Sequence, residues 1–431
     1  MPASFALGVV MSDPLFYQET RLPGGPLVLS HAMPAAQSVA LGVFIDVGSR
    51  DEAVAQAGMS HALEHMLFKG TNRMGVHALA EKLDELGGNA NAFTSRERTC
   101  FHLHVLHEYW QESLAVLMDM VREPALPEDE WQREREVIYA EMAMVDDTPE
   151  EWVMDQHVEA LFPGHALGRP VLGTHQALAE MTAADMRGYL KQHYSAGRLL
   201  IVAAGRIEHA ELVEALCSLS WSETVGEQER QAPATLARGV QALKRDDEQA
   251  QMVLSFPGIT IDSKDWPVAW LANQILGGGM SSRLFREVRE KRGLAYSVGS
   301  HLSMLSDTGV WSMTCGSEPS RAAECVTVLR DVLGGFADSL GAEEVERAKR
   351  QMEVQFRMGL DSVEGQMLYL GGRQDEAILL SPMQWLEQIR SVDVETIRNW
   401  SRAQLEQGGL WSVAAPECAL TQVCDTIGAS C

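Results

Sequence analysis

The sequence is poor in basic residues and contains no long apolar run. Lysine and arginine number 35 against 60 aspartates and glutamates, which gives a formal charge of -25 over 431 residues. A nucleic-acid-binding surface needs a basic face to neutralise phosphates, so this balance argues against such a partner. No stretch of about 20 apolar residues is present to span a membrane. The first basic residue is Arg21, so the charged region of a secretory signal is missing too. We therefore expect a cytoplasmic protein with no nucleic-acid or membrane partner.

The cysteines and the overall composition fit a folded protein of a reducing compartment. Seven cysteines are scattered along the chain without a CxxC pair, which is typical of free thiols. Apolar residues make up 46% and charged residues 22%, a balance that favours a globular fold over disorder. At roughly 150 residues per domain, the length predicts two or three domains. The excess of acid would attract basic ligands if it lined a cavity, although acid spread over a solvated surface explains it equally well.

The order of predicted elements recurs along the chain. A buried strand near 37–48 leads to two helices, a hairpin over 89–106 and two more helices. The same order returns from 251 to 358, where a pattern over 282–293 predicts the second helix and another over 320–338 predicts the third. This recurrence predicts an α+β protein with two homologous domains related by internal duplication, each a mostly antiparallel sheet packed against helices. The predicted parts are a first domain, a linker and a second domain, at residues 1–218, 219–237 and 238–431.

Residues 61–70, HALEHMLFKG, place titratable side chains in an otherwise apolar segment. In a helix, His61, Glu64 and His65 lie at positions i, i+3 and i+4, so they share one face. The apolar positions around them predict a helix that is buried nearly all round, and burying unpaired polar groups costs several kcal/mol. Two histidines at i and i+4 can present both imidazoles to one zinc ion. The stripe therefore predicts a metal site that needs a third ligand.

The helix predicted over 129–145 supplies candidates for that ligand. Glu134 and Glu141 fall on the same face as Trp131, Val137 and Ile138, so two carboxylates lie on its apolar side. A divalent cation would satisfy these carboxylates and the His/Glu/His stripe together. Neither ligand spacing nor helix geometry excludes manganese or cobalt.

Four segments carry a resemblance to a known family: HALEHMLFKGT, GGNANAFTSRERT, REREVIYAEM and LGGGMSSRLFREVREKRGLAYSVGS. His61, Glu64 and His65 are followed after 75 residues by Glu141, which resembles the inverted-zincin arrangement of the pitrilysin or insulinase (M16) metallopeptidases. The chain is similar over essentially its whole length to the two-domain members, such as the processing-peptidase beta subunit and its bacterial relatives.

The resemblance implies roles for residues of the first half. His61, His65 and Glu141 would bind one zinc ion per chain, and Glu64 would be the general base. Glu134 matches the acid that orients the metal ligands in that family.

Other residues would contact the substrate. Asn91, Ala92 and Phe93 resemble the edge strand on which the family lays an extended peptide, and Phe68 would line the same site. In the second half, Arg289 and Tyr296 match a pair that holds substrate. Tyr296 would donate to the developing oxyanion and Arg289 would bind a main-chain oxygen.

The resemblance also implies an assembly and an activity. Family chambers contain four homologous domains, so a two-domain chain would form half of a peptidase chamber and would dimerise. Because one chain carries both sets of motifs, we expect a homodimer in which Arg289 and Tyr296 of one protomer reach the zinc of the other. A heterodimer with a noncatalytic homologue is the alternative. The expected activity is zinc-dependent endopeptidase cleavage of peptides or unfolded segments, and the acidic balance hints at basic peptides.

Two other functions share parts of this pattern. The same fold serves as a noncatalytic structural or assembly subunit, but such relatives usually lose the zinc ligands that are all present here. A metal-dependent hydrolase acting on something other than peptides would share the HxxEH helix without needing Arg289 and Tyr296.

Overall fold

The computed structural model describes residues 16–87, 89–221, 230–233, 235–372 and 379–428, and it contains two sheets. The strands of the first sheet are β1 (Gln18–Arg21), β2 (Leu27–Ala32), β3 (Ser38–Ile45), β4 (Asn89–Thr94), β5 (Thr99–Leu106) and β6 (Leu199–Gly205). Those of the second are β7 (Gly239–Lys244), β8 (Ala250–Pro257), β9 (Ala295–Met304), β10 (Gly309–Ser317) and β11 (Leu410–Ala415).

Helices connect and cover the strands in both halves. In the first half they are α1 (Met59–Leu67), α2 (Val76–Glu85), α3 (Trp110–Arg122), α4 (Glu128–Asp147), α5 (Pro149–Leu161), α6 (His175–Glu180), α7 (Ala183–His193) and α8 (His209–Cys217). In the second they are α9 (Trp266–Gly277), α10 (Ala322–Gly334), α11 (Phe336–Ser339), α12 (Ala342–Gly359), α13 (Val363–Gly371), α14 (Pro382–Ser391), α15 (Val394–Glu406) and α16 (Glu417–Ile427). None of these described helices combines the length and the apolar character needed to cross a membrane.

The two sheets share one topology. The strand order is β1-β2-β6-β3-β5-β4 in the first and β7-β11-β8-β10-β9 in the second. The pairs β2–β6 and β7–β11 are parallel, and the remaining pairs are antiparallel in both sheets. Strands β4 and β9 therefore occupy the same outer edge of their sheets. The predicted α+β fold with two homologous, mostly antiparallel units is confirmed.

Two predicted helices differ from the observed ones. The run over 282–293 is helical from 283 to 290, with wide π-type spacing at Phe285–Glu290, and it ends before Gly293, where a φ of +57° precedes β9. The helix expected over 320–338 is interrupted at Gly335, which separates α10 from α11. The expectation of free thiols also fails at Cys424, which is disulfide-bonded.

One helix from each half packs against the sheet of the other half. Along β3, Leu41 and Val43 face the core of the first half, whereas Ala40 and Phe44 face the opposite side, as the two-residue period of a strand requires. That opposite side packs against α13 from the second half. Reciprocally, α5 from the first half packs against β8 and β11 of the second sheet.

A buried histidine fixes α5 on the second sheet. His157 is 1% exposed, and its Nδ1 and Nε2 lie 2.8 Å from Ser412 Oγ and 2.7 Å from Ser255 Oγ. Burial lowers the pKa of His157 to about 4. The imidazole is therefore neutral at neutral pH and can share hydrogen bonds with both hydroxyls.

We expect His157 to make the stability of the protein fall in acid. The unfolded chain binds a proton at His157 near pH 6.5, but the folded chain does so only near pH 4, so this contribution is complete above pH 6.5 and is lost as the pH falls. In urea titrations with a chelator present, the wild type should lose about 2 to 3 kcal/mol more than His157→Gln between pH 7 and 4.5. His175→Gln, at an exposed position, is the control and should behave as the wild type does. Equal pH dependence in all three proteins would contradict this account.

Candidate metal centre

The helix that carries the His/Glu/His stripe is held firmly at its first turn. Gly58 precedes α1 with φ +95°, and a Cβ there would lie 2.7 Å from the carbonyl oxygen of Leu172. The buried carboxylate of Glu52 accepts hydrogen bonds from the backbone N–H of Gly58 (2.8 Å) and of Ser60 (2.7 Å). Burial raises the pKa of the Glu52 carboxyl to about 7, and these backbone hydrogen bonds oppose that rise. These contacts set the direction in which α1 presents its side chains.

Three ligand atoms converge between α1 and α4. The Nε2 atoms of His61 and His65 each lie 3.6 Å from Glu141 Oε2, and the three ligand atoms all lie within 4.8 Å of one another. A tetrahedral zinc ion with bonds of about 2.1 Å separates two ligand atoms by about 3.4 Å. The triad therefore has the donor types and the spacing that one zinc ion requires.

Burial keeps the first histidine in the form that binds metal. Burial is the larger cause and the neighbouring His65 the smaller one, and together they lower the pKa of His61 to about 4. His61 is consequently a neutral imidazole at neutral pH, with a lone pair on its unprotonated nitrogen.

The second histidine is oriented by a buried carboxylate. His65 Nδ1 donates to Glu134 Oε2 over 3.1 Å, and Lys69 Nζ lies 2.8 Å from the other carboxylate oxygen of Glu134. Because Nδ1 carries the proton in this arrangement, Nε2 presents its lone pair toward Glu141. Glu134 thus lies behind the triad. Lys69 was not predicted, although it lies four residues after His65 and thus on the same helical face.

The fourth residue of the stripe points toward the edge strand. Thr94 Oγ1, at the end of β4, donates to Glu64 Oε2. Burial raises the pKa of the Glu64 carboxyl, and the hydrogen bond from Thr94 opposes that rise. Glu64 is therefore a stronger base than an exposed glutamate.

Strand β4 passes beside this stripe and is open on one side. Among the described strands it pairs only with β5, at the end of the sheet. The side chains of Asn91 and Phe93 are exposed there, and Ala92 is half-buried between them. Phe68, at the end of α1, is half-buried against Phe101, with ring centroids 6.2 Å apart.

Arg289 and Tyr296 lie together and are not bonded to the triad. The guanidinium carbon of Arg289 lies 4.6 Å from the centre of the Tyr296 ring and 4.8 Å from that of Phe285. Tyr296 is 77% exposed. Among the described residues, no hydrogen bond or ion pair links either side chain to the three ligand residues or to Glu64. Within one chain, therefore, no described hydrogen bond or ion pair joins this pair to the metal centre.

Two family models match the chain. Residues 27–175 match the model described as insulinase (peptidase family M16), and residues 180–352 match the one described as the peptidase M16 inactive domain. The first match contains the whole triad, and the second contains Arg289 and Tyr296.

Relatives and solved structures agree with these matches. A Streptomyces coelicolor protein described as an uncharacterized zinc protease is 35% identical over 413 residues, which cover 93% of this chain and 89% of the relative. The uncharacterized zinc protease YmxG of Bacillus subtilis is 33% identical, with 86% and 91% coverage. In fold, the chain resembles a Pseudomonas fluorescens structure titled peptidase M16 inactive domain (TM-score 0.87, 21% identity, 93% and 98% coverage). It also resembles a protease from Helicobacter pylori (TM-score 0.84, 20% identity, 93% and 99% coverage).

Proposed function

The chain belongs to the insulinase (M16) family of peptidases, and from this membership and its metal centre we propose that it is a zinc-dependent endopeptidase. The observation that carries the proposal is the convergence of His61, His65 and Glu141, with 3.6 Å between each histidine Nε2 and the carboxylate. Three protein ligands leave a fourth tetrahedral position open, as in catalytic rather than structural zinc sites.

The residues around the centre have the chemistry of peptide hydrolysis. When bound, zinc supplies Lewis acidity that lowers the pKa of an attacking water to about 7. The Glu64 carboxylate accepts the proton from that water and then delivers it to the leaving amine. Its hydrogen bond from Thr94 holds one carboxylate oxygen in place, so the other oxygen is free for proton transfer.

Strand β4 is the proposed support for the substrate. An extended peptide would add to its open edge through main-chain hydrogen bonds, which depend little on side-chain sequence. Because Thr94 at the end of this strand contacts Glu64, a peptide paired with β4 would run past the general base.

We propose that the working enzyme is a homodimer that encloses its substrate. In the single chain, Arg289 and Tyr296 have no contact with the triad, and Tyr296 is largely exposed. Supplied by the partner, Tyr296 would donate to the oxyanion that forms on the scissile carbonyl, and Arg289 would bind a main-chain oxygen. A heterodimer with a noncatalytic homologue would place the same groups equally well.

We propose that an acidic cavity near α4 makes the enzyme favour basic peptides. A cavity of about 640 Å³ is lined by Val145, one helical turn beyond Glu141, and by Glu150, Glu151 and Asp155. Arg96 also lines it and balances part of this negative charge. The remaining acid favours a lysine or arginine side chain of the substrate, which mapping of cleavage sites on a mixed peptide pool would reveal.

Metal binding and cleavage should depend on the same residues. We expect about one zinc per chain, cleavage of unstructured peptides, loss of cleavage with a chelator and recovery when zinc is added. His65→Ala should lose both zinc and activity, whereas His175→Ala, at an exposed position, should keep both. Zinc content is measured by atomic emission and cleavage by mass spectrometry. Zinc binding without cleavage of any peptide would favour a structural subunit or a hydrolase of other substrates.

A further inference from the structure

The duplicated fold places a cavity in the second half at the position that corresponds to the metal centre. In the first half the centre lies among α1, α4 and β4. By chain order and strand order, their counterparts are α9, α12 and β9. These three elements, together with Trp385 of α14, line a cavity of about 380 Å³.

The correspondence holds residue by residue on the first helix. Trp270, Asn273 and Gln274 have the same i, i+3, i+4 spacing as the His/Glu/His stripe, and all three line the cavity. In both segments, HALEH and WLANQ, the two residues between the first and the fourth positions are buried. Trp270 and Gln274 therefore stand where the two histidine ligands stand in the first half.

The second helix completes the correspondence. Its buried residues Val345, Ala348 and Met352 are spaced as Trp131, Glu134 and Ile138 are in α4. Met352 thus corresponds to Ile138, and three residues further along each helix Gln355 corresponds to Glu141. Gln355 also lines the cavity. No metal ligand remains at the three equivalent positions, because neither indole nor amide is a usual zinc ligand.

The cavity that replaces the triad is neutral and aromatic. Trp270, Phe356 and Trp385 form its ring walls, with Phe356 stacked on Trp385 at 4.0 Å and Trp270 nearly perpendicular to Trp385 at 6.1 Å. Leu302 and Met352 add apolar surface. Among the described residues that line it, none is Asp, Glu, Lys or Arg. Such walls favour a large uncharged ring that can stack or pack edge to face.

Polar groups and access limit the kind of ligand. Asn273 Oδ1 accepts from Trp311 Nε1 over 3.2 Å, so this amide is committed to the core. The exposed Gln355 and the largely exposed His301 bring hydrogen-bonding groups to the same cavity, and Trp270 is 40% exposed at its wall. An apolar pocket with amide and imidazole groups suits an aromatic side chain that is still attached to a peptide backbone.

We propose that this cavity is a noncatalytic binding site for an aromatic side chain of a peptide substrate. The proposal rests on the proposed peptidase function, since it takes the substrate as the occupant. The site would increase the affinity for peptides that carry phenylalanine or tryptophan without taking part in bond cleavage. It would therefore lower KM for such peptides and leave kcat unchanged.

The test measures binding without turnover. Two unstructured, fluorescently labelled decapeptides that differ only by phenylalanine or alanine at one position are titrated into zinc-free Glu64→Gln protein. We expect at least about fivefold tighter binding of the phenylalanine peptide. Trp270→Ala should remove this preference and Trp270→Phe should keep most of it. Gln355→Glu, which places a charge at an exposed wall position, should also weaken it, whereas the exposed Tyr109→Ala should not.

The outcomes separate this site from the proposed activity. Equal binding of the two peptides, or a preference that survives both Trp270→Ala and Gln355→Glu, would overturn the aromatic site while wild-type cleavage still supported the peptidase. If the preference were lost in those two variants but the wild-type protein cleaved no peptide, the result would support the aromatic site and overturn the peptidase function.

Discussion

Glutamine in place of Glu64 is expected to abolish peptide cleavage while the protein keeps its zinc. The amide retains the size of the side chain and an oxygen that can accept the hydrogen bond from Thr94, but it cannot take a proton from water. Loss of a general base lowers rates by about 10²- to 10⁴-fold. The three ligand residues are unchanged, so zinc content should stay at the wild-type value. Single-turnover cleavage of a quenched-fluorescence peptide and metal analysis of the same sample measure both quantities.

A matched substitution separates the role of Glu64 from a simple change of charge. Glu136 is an exposed glutamate on α4, and Glu136→Gln removes the same charge while leaving the stripe intact. It should cleave at the wild-type rate. If Glu64→Gln retained full turnover, Glu64 could not be the base.

Mixing two inactive variants is expected to restore activity. In the proposed homodimer, each site combines Glu64 of one protomer with Tyr296 of the other. A dimer of one Glu64→Gln chain and one Tyr296→Phe chain would then hold one intact site and one doubly defective site. After complete exchange, half the dimers are mixed, so recovery should approach about a quarter of wild-type activity.

The control for that experiment removes the complementing group. A chain carrying both substitutions, mixed with Glu64→Gln, can form no intact site and should stay inactive. Differently tagged chains report the extent of exchange. Absence of recovery after demonstrated exchange would mean that Tyr296 does not act across a dimer interface.

Features encoded by local periodicity were predictable from the sequence. The HALEH spacing predicted a buried helix, and α1 indeed buries Met59, Leu63 and Met66. The hairpin of β4 and β5 and the long helix α4 also follow from period-two and helical patterns. Val137 is the exception on α4, because it is 44% exposed at the margin of the face that buries Trp131.

Contacts between distant segments were not predictable in the same way. Glu52 lies eight residues before Ser60 in an irregular segment, and no repeat pattern indicates that its carboxylate caps α1. The bond from Thr94 to Glu64 depends on how β4 crosses α1, which is a property of the folded sheet. The mutual packing of α5 and α13 joins residues from different halves of the chain, and single-helix patterns do not specify a partner.

The packing of α13 against the first sheet has a consequence for the synthesis of the protein. The face of that sheet that carries Leu29, Phe44 and Val202 is covered by Val363 and Met367, which follow the end of β6 at Gly205 by more than 150 residues. Ribosomes add about 5 to 20 residues per second. During synthesis, α13 is therefore available to pack on this apolar face only on the order of ten seconds after β6 has been made. We therefore expect the nascent first half to expose this apolar face, and to be prone to aggregation, until the second half emerges.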